Sequence, residues 1–126
     1  IIDMATLSGA AATSVGRRLA AIYCNNDELE KKAVYAGKAC GELCYPLPYI
    51  PEFFRSEFAS GIADMKNSVK NRANAQSACA GQFIGNHLPS QTTPWLHIDM
   101  SGPSKTLSKR GRGYGVALLL QLSINI

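Results

Sequence analysis

The opening decamer, Ile1-Ile2-Asp3-Met4-Ala5-Thr6-Leu7-Ser8-Gly9-Ala10, most constrains what this chain can fold into. It starts on β-branched and apolar residues, in a run too short for a helix before Gly9, and so reads as a buried strand that breaks off at Ser8-Gly9. The small residues that follow let the backbone come close to something. In α/β sheets, strand ends that pass into helices through Thr, Ser and Gly expose backbone groups at the carboxyl edge, where ligands bind. A plain strand-to-helix turn uses the same residues, so the rest of the chain has to decide.

The chain after Gly9 alternates helical and extended signals. Ala10 to Val15 is small and apolar enough for a close-packed helix stopped by Gly16, and Leu19 to Cys24 reads as a second strand. Asn25-Asn26-Asp27-Glu28 with Glu30 invites a metal-site reading. The same residues ahead of Leu29, Ala33, Val34 and Ala36 are what a capped helix start requires, and the cap is preferred; the helix ends at or near Gly37 or Gly41. Tyr45 to Ile50 and Pro51, with prolines at 46, 48 and 51, predict an extended connector packed on its own core, without regular ladders. Glu52 to Phe58 suits a short helix burying Phe53, Phe54 and Phe58.

Ala63 to Ser68 reads as a short polar-ended strand, Asn71 to Gln76 as a loop, and Ser77 to Ile84 as a helix whose small face can lie flat on a sheet. His87, before Pro89, falls at the end of that helix. Trp95-Leu96-His97-Ile98-Asp99-Met100-Ser101-Gly102 then alternates: as a strand it puts His97 and Asp99 on one face and Leu96, Ile98 and Met100 on the other. A His-x-Asp pair on one face could ligate a metal or form half of an acid/base relay. The preferred reading is a buried pair that satisfies backbone groups or each other. The stretch from Val116 to Ile124 is apolar on all sides, which predicts a buried helix against the sheet or a neighbouring subunit.

The totals exclude some classes. A chain of 126 residues is one domain's length, and no apolar run approaches the roughly 20 residues of a membrane helix. The expected setting is therefore soluble and cytoplasmic. The chain begins on Ile1-Ile2, straight into what reads as a core strand, and is expected to be part of something larger. The net charge of +4 gathers in Lys105, Lys109, Arg110 and Arg112, a local basic loop with no interleaved aromatics, so nucleic-acid binding is not the favoured reading. Cys24, Cys40, Cys44 and Cys79 form no Cys-x-x-Cys pair and are expected as buried free thiols.

Asp3 to Ala10, Ala63 to Asn67, the small-residue helix from Ser77 to Ile84, and Trp95-x-His97-x-Asp99 ending in Ser101-Gly102 stand in a fixed order. Together they resemble the C-terminal part of the catalytic domain of the leucyl, or cytosol, aminopeptidase family. The likeness runs essentially from Ile1 to the last helix, and Ala63 to Ser68 with Cys79-Ala80-Gly81 looks closest to an animal branch of that family. The resemblance implies an α/β fold, a mixed sheet flanked by helices, with residues 1–126 forming a partial catalytic domain.

It further implies a parent that is a homohexamer, holds two divalent ions (zinc, manganese or magnesium), and removes N-terminal residues from peptides with a free N-terminus. The family's metal ligands, a Lys, three Asp and a Glu, precede the block that begins here at Ile1. So do the assisting Lys and Arg. This chain is therefore expected to contribute no catalytic residue and no metal ligand, and to be inactive alone. What carries over is a substrate rim. By resemblance the Leu7 carbonyl accepts from the substrate's amine, and Thr6 and Gly9 line the pocket for its first side chain. Ser101 and Ser104 stand where the family has a small and a larger apolar residue, leaving hydroxyls to satisfy and a clean leucine preference in question. Ser8 replaces the usual Thr. The resemblance also gives a glycine-containing turn between Ser104 and Gly115. The rival readings are a catalytically silent scaffold and, behind it, a nucleic-acid-binding role carried by Lys109, Arg110 and Arg112.

Overall fold

The computed structural model describes residues 1–125, with side chains described to Ile124. Four strands, β1 (Ile2–Ala5), β2 (Ala20–Cys24), β3 (Cys44–Pro46) and β4 (Leu96–Asp99), form one sheet in the order β1-β4-β2-β3. β1 runs parallel to β4, β2 antiparallel to β4, and β3 parallel to β2. The sheet is mixed, as the resemblance implied.

Alternation along the strands sorts the core into two layers. Ala20, Ile22, Cys24, Leu96 and Ile98 face one side with Leu118 and Leu122, where α2 (Asp27–Cys40) and α5 (Val116–Asn125) pack. Ala21, Tyr23 and Trp95 face the other side with Ala11, Ala78 and Cys79, beneath α1 (Gly9–Val15) and α4 (Gln76–Gly85). The helices start where the capping residues are. Ser8 Oγ accepts from the Ala11 N–H and Asn26 Oδ1 from the Leu29 N–H, and α2 ends on Gly41 at φ +80°. Asp27, Glu28 and Glu30 thus form the first turn of a capped helix.

Close approach explains the small face of α4. A Cβ on Gly81 would sit 2.7 Å from the Tyr23 ring, so only glycine lets the helix rest on β2 at this distance. The four cysteines are free, and all but the half-buried Cys40 are buried.

Several expectations are corrected. β1 is half-buried because it lies on the sheet edge, paired with β4 alone. The proline segment does form a ladder: β3 pairs with β2, Pro46 is its last residue, and the Leu47 N–H still reaches the Ile22 carbonyl at 2.9 Å. Proline is tolerated there because an edge strand needs its N–H groups on one side only. Pro51–Phe54 forms a short helix, α3, and Arg55–Phe58 a 3-10 turn; Phe54 and Phe58 are buried, but Phe53 is 70% exposed. Ala63 to Ser68 is not a strand: it belongs to no sheet among the described residues, and the Lys66 N–H donates to the Phe58 carbonyl at 2.9 Å. α5 buries one stripe, Leu118 and Leu122, while Val116, Leu120 and Ile124 are exposed. His87 falls just past the end of α4, its Nδ1 2.8 Å from the Phe83 carbonyl.

Candidate substrate-binding rim

The register brings two loops to one place. β1 and β4 end together, Ala5 opposite Asp99, so Thr6 to Ser8 and Met100 to Ser104 leave the sheet side by side at its carboxyl edge. The Met100 N–H donates to the Ala5 carbonyl at 2.8 Å, extending the ladder by one step. Beyond it a side chain takes over.

That side chain is Asp99, which is 1% exposed. Its Oδ1 accepts from the Leu7 N–H at 3.1 Å, the Ser101 N–H at 3.1 Å and the Ser101 hydroxyl at 2.5 Å. Its Oδ2 accepts from the Ser8 N–H at 2.9 Å and the Ser8 hydroxyl at 2.8 Å. A buried carboxylate needs such donors, because it has lost its water. Here they come from both loops, so the charge is compensated by holding the loops together.

His97 is held differently. It is wholly buried, its Nδ1 lies 2.5 Å from Asp3 Oδ1, and the Trp95 indole N–H donates to Asp3 Oδ2 at 2.6 Å. Its ring stacks against both Tyr23 and Trp95, and its Nε2 has no hydrogen-bond partner among the described residues. His97 and Asp99 therefore do not satisfy each other. Each serves a different neighbour, and the role of Asp3 was not visible from spacing because its partners lie more than 90 residues away. Burial pushes the nearby Tyr23 hydroxyl up to about 12, with the Asp99 charge adding to the rise and the Ser77 bond opposing it.

The rim residues fall as follows. Thr6 and Gly9 are exposed, and a Cβ on Gly9 would meet nothing within 4 Å. The Leu7 carbonyl makes no hydrogen bond among the described residues. Leu7, Ser8 and Gly9 line a cavity of about 280 Å³ together with Phe58, Val69, Arg72 and Phe83. Thr6, Ser101 and Ser104 lie outside that cavity, on the same sheet edge. The Ser101 hydroxyl is engaged by Asp99, and Ser104 Oγ reaches the Ser101 carbonyl at 3.4 Å, so both hydroxyls have acceptors within the chain. The Arg112 N–H donates to the Ser104 carbonyl at 3.0 Å, anchoring the base of the exposed basic loop. Glycines at 113 and 115, both at positive φ, turn that loop into α5.

Among the described residues no group of three or more His, Cys, Asp or Glu could hold a metal ion. No helix among them is long and apolar enough to cross a membrane.

The mixed α/β fold is shared with solved aminopeptidases. The structure of leucyl aminopeptidase from Trypanosoma brucei in complex with bestatin superposes with a TM-score of 0.94 at 40% identity, covering 99% of this chain and 24% of that one. Leucine aminopeptidase 1 of Caenorhabditis elegans is 43% identical over 124 residues, 97% of this chain and 25% of its own length. The probable aminopeptidase NPEPL1 of Mus musculus is 47% identical over 123 residues, 97% of this chain and 23% of its own length. Residues 1–120 match the catalytic domain of the cytosol aminopeptidase family, and the chain belongs to that family. It spans about a quarter of the length of the curated relatives it matches.

Proposed function

We propose that the longer protein carrying this chain is a metal-dependent aminopeptidase that releases N-terminal residues from peptides, and that residues 1–126 supply its substrate rim. The observation that carries this reading is the unpartnered Leu7 carbonyl, held next to Gly9 at the carboxyl edge of the sheet in a chain of this family. A bare carbonyl is an acceptor with no donor in it, which suits a substrate's free ammonium group. The open space beside Gly9 suits the side chain attached to the same carbon. Thr6, Ser101 and Ser104 complete the surround of that side chain in this reading.

The described residues do not fit a metal centre, so no step is assigned to a metal on this chain. Two divalent ions, zinc, manganese or magnesium, belong in this reading to residues outside 1–126, as does the activation of water. What this chain does is bind and orient: it fixes the amino end so that the first peptide bond is presented at one place. The reading also takes the working form to be a cytoplasmic homohexamer acting on peptides, with the 126-residue chain inactive by itself.

The test is hydrolysis of leucine amide by the full-length protein supplied with each metal in turn. Turnover that a chelator abolishes is expected, with none from the isolated chain. Absence of turnover with every metal would remove the reading, and turnover by the isolated chain would remove the assignment of catalysis to residues outside it.

A further inference from the structure

We propose that the basic hairpin of residues 105–112 binds acidic residues of the substrate peptide, so that the parent enzyme favours peptides with carboxylates a few places after the N-terminus. The inference rests on the aminopeptidase reading above and adds the class of substrate. Residues 1–99 are electrically balanced, with nine cations and nine carboxylates. The whole excess of +4 comes from Lys105, Lys109, Arg110 and Arg112, and no Asp or Glu follows Asp99. All four cations are exposed, and none forms an ion pair among the described residues.

These charges stand on an ordered scaffold. The Arg112 N–H donates to the Ser104 carbonyl at 3.0 Å, Lys105 and Gly111 form an antiparallel bridge, and the Thr106 N–H donates to the Arg110 carbonyl at 2.8 Å. The turn closes with the Lys109 N–H on the Thr106 carbonyl at 3.0 Å and the Arg110 N–H on the Thr106 hydroxyl at 3.1 Å. Lys109 takes φ +62°, a left-handed conformation that glycine or asparagine adopts at less cost. The turn thus carries a charge where an uncharged residue would suit the backbone better.

The hairpin is rooted at the rim. Ser104 closes the loop that leaves β4 beside Thr6 to Ser8, its N–H donating to the Met100 carbonyl at 3.1 Å. Three residues of strand reach about 10 Å, which is also the span of about three residues of extended peptide. Carboxylates at the third and fourth positions of a bound peptide therefore come within range of the cations. A nucleic acid fits less well. Tyr114, at the exit of the hairpin, is half-buried with its hydroxyl on the Leu43 carbonyl, so the hairpin offers no platform for stacked bases.

The experiment compares kcat/KM of the full-length protein for Leu-Gly-Glu-Glu-Gly, Leu-Gly-Gln-Gln-Gly and Leu-Gly-Lys-Lys-Gly. At about 0.01 M salt the acidic peptide is expected to exceed the neutral one about three- to tenfold, and the basic one to fall below both. The ratio should approach one at about 1 M salt, where the Debye length is about 3 Å. Lys109→Gln with Arg110→Gln should abolish the acidic preference, and Lys109→Glu with Arg110→Glu should reverse it in favour of the basic peptide. A merely structural role would lower all three peptides together. Equal lowering, or an acidic-to-neutral ratio that salt and substitution leave unchanged, overturns the inference. Should the substituted proteins fail to fold, the salt dependence of the unsubstituted protein decides. If the unsubstituted protein turns over none of the peptides, the aminopeptidase reading falls. Fluorescence anisotropy of a labelled acidic peptide then decides this one: binding that Lys109→Glu with Arg110→Glu weakens about threefold or more supports it, and equal or absent binding overturns it. Displacement of that peptide by a single-stranded oligonucleotide of equal charge at a lower concentration than by the unlabelled peptide would assign the hairpin to nucleic acid, and also overturns it.

Discussion

Asp3 and His97 meet across the parallel pair β1 and β4, with Asp3 Oδ1 2.5 Å from His97 Nδ1. The other Asp3 oxygen accepts from the Trp95 indole N–H, and both rings are fully buried, so neither has water as an alternative. Asp3→Ala is expected to lower stability by about 2–4 kcal/mol, because two buried donors lose their acceptor together. Asp3→Asn, which keeps one acceptor, should cost less. Trp95 is the only tryptophan, so urea unfolding followed by its fluorescence reads the change directly. A loss in Asp3→Ala below about 0.5 kcal/mol would show that the pair does not hold β1 to β4.

Gly81 sets how close α4 lies to the sheet. Alanine normally favours a helix by about 1 kcal/mol over glycine. Here its Cβ would meet the Tyr23 ring at 2.7 Å, and that ring cannot step aside: it stacks on His97 and its hydroxyl is bonded to Ser77. Gly81→Ala is therefore expected to destabilise by about 1–3 kcal/mol, the cost of overpacking. Thermal unfolding of the variant checks it, and a gain in stability would mean that α4 can shift freely.

α5 divides into a buried and an open stripe. Leu122 is fully buried between α2 and the sheet, whereas Leu120 is 63% exposed. Leu122→Ala should cost about 2–5 kcal/mol and Leu120→Ala less than about 0.5 kcal/mol in the monomeric chain. Comparable losses from both, measured by denaturant titration, would place the Leu120 face inside an interface.

Glu57 ties the loop after the 3-10 turn. Its carboxylate accepts from the Asn74 side chain at 2.8 Å and the Asn71 N–H at 2.9 Å, and these bonds hold its pKa below the ordinary value of 4.5. The folded state thus binds the proton less readily than the unfolded one. Its contribution is fully present above about 4.5 and is lost as the pH falls through the depressed folded value. Melting temperatures of the wild type and Glu57→Gln should differ at pH near 7 and converge in the acid range. A gap that persists at low pH would assign the effect to something other than the charge.

Local signals gave much of this molecule correctly. Asn26 caps the helix that follows it, Gly41 ends α2, and the alternation from Trp95 to Asp99 puts its two sets of side chains in the two core layers. Those features rest on contacts within a few residues. Misreadings arose where a distant partner decides. Pro46 by itself argues against pairing, yet it sits at the end of an edge strand. Ala63 to Ser68 reads as a short strand but pairs with no strand among the described residues. Phe53 faces water because it is the immediate neighbour of Phe54 on α3, and successive residues of a helix point in different directions, so only Phe54 and Phe58, four apart, turn inward. The apolar α5 meets a helix and a sheet on one side only.

The sequence by itself determined the strands β1, β2 and β4, the capped start of α2, the two faces of β4, and, through the resemblance carried by Asp3 to Ala10 and Trp95 to Gly102, the family. Periodicity, capping and motif are properties of neighbouring residues, so they can be read before the chain folds. Only the tertiary structure decided that Leu7, Ser8 and Ser101 share one carboxylate, and that His97 turns to Asp3 and not to Asp99. Those pairings depend on which strands become neighbours and in what register. A hydrogen bond between residues 91 or more positions apart exists only once the whole sheet has closed.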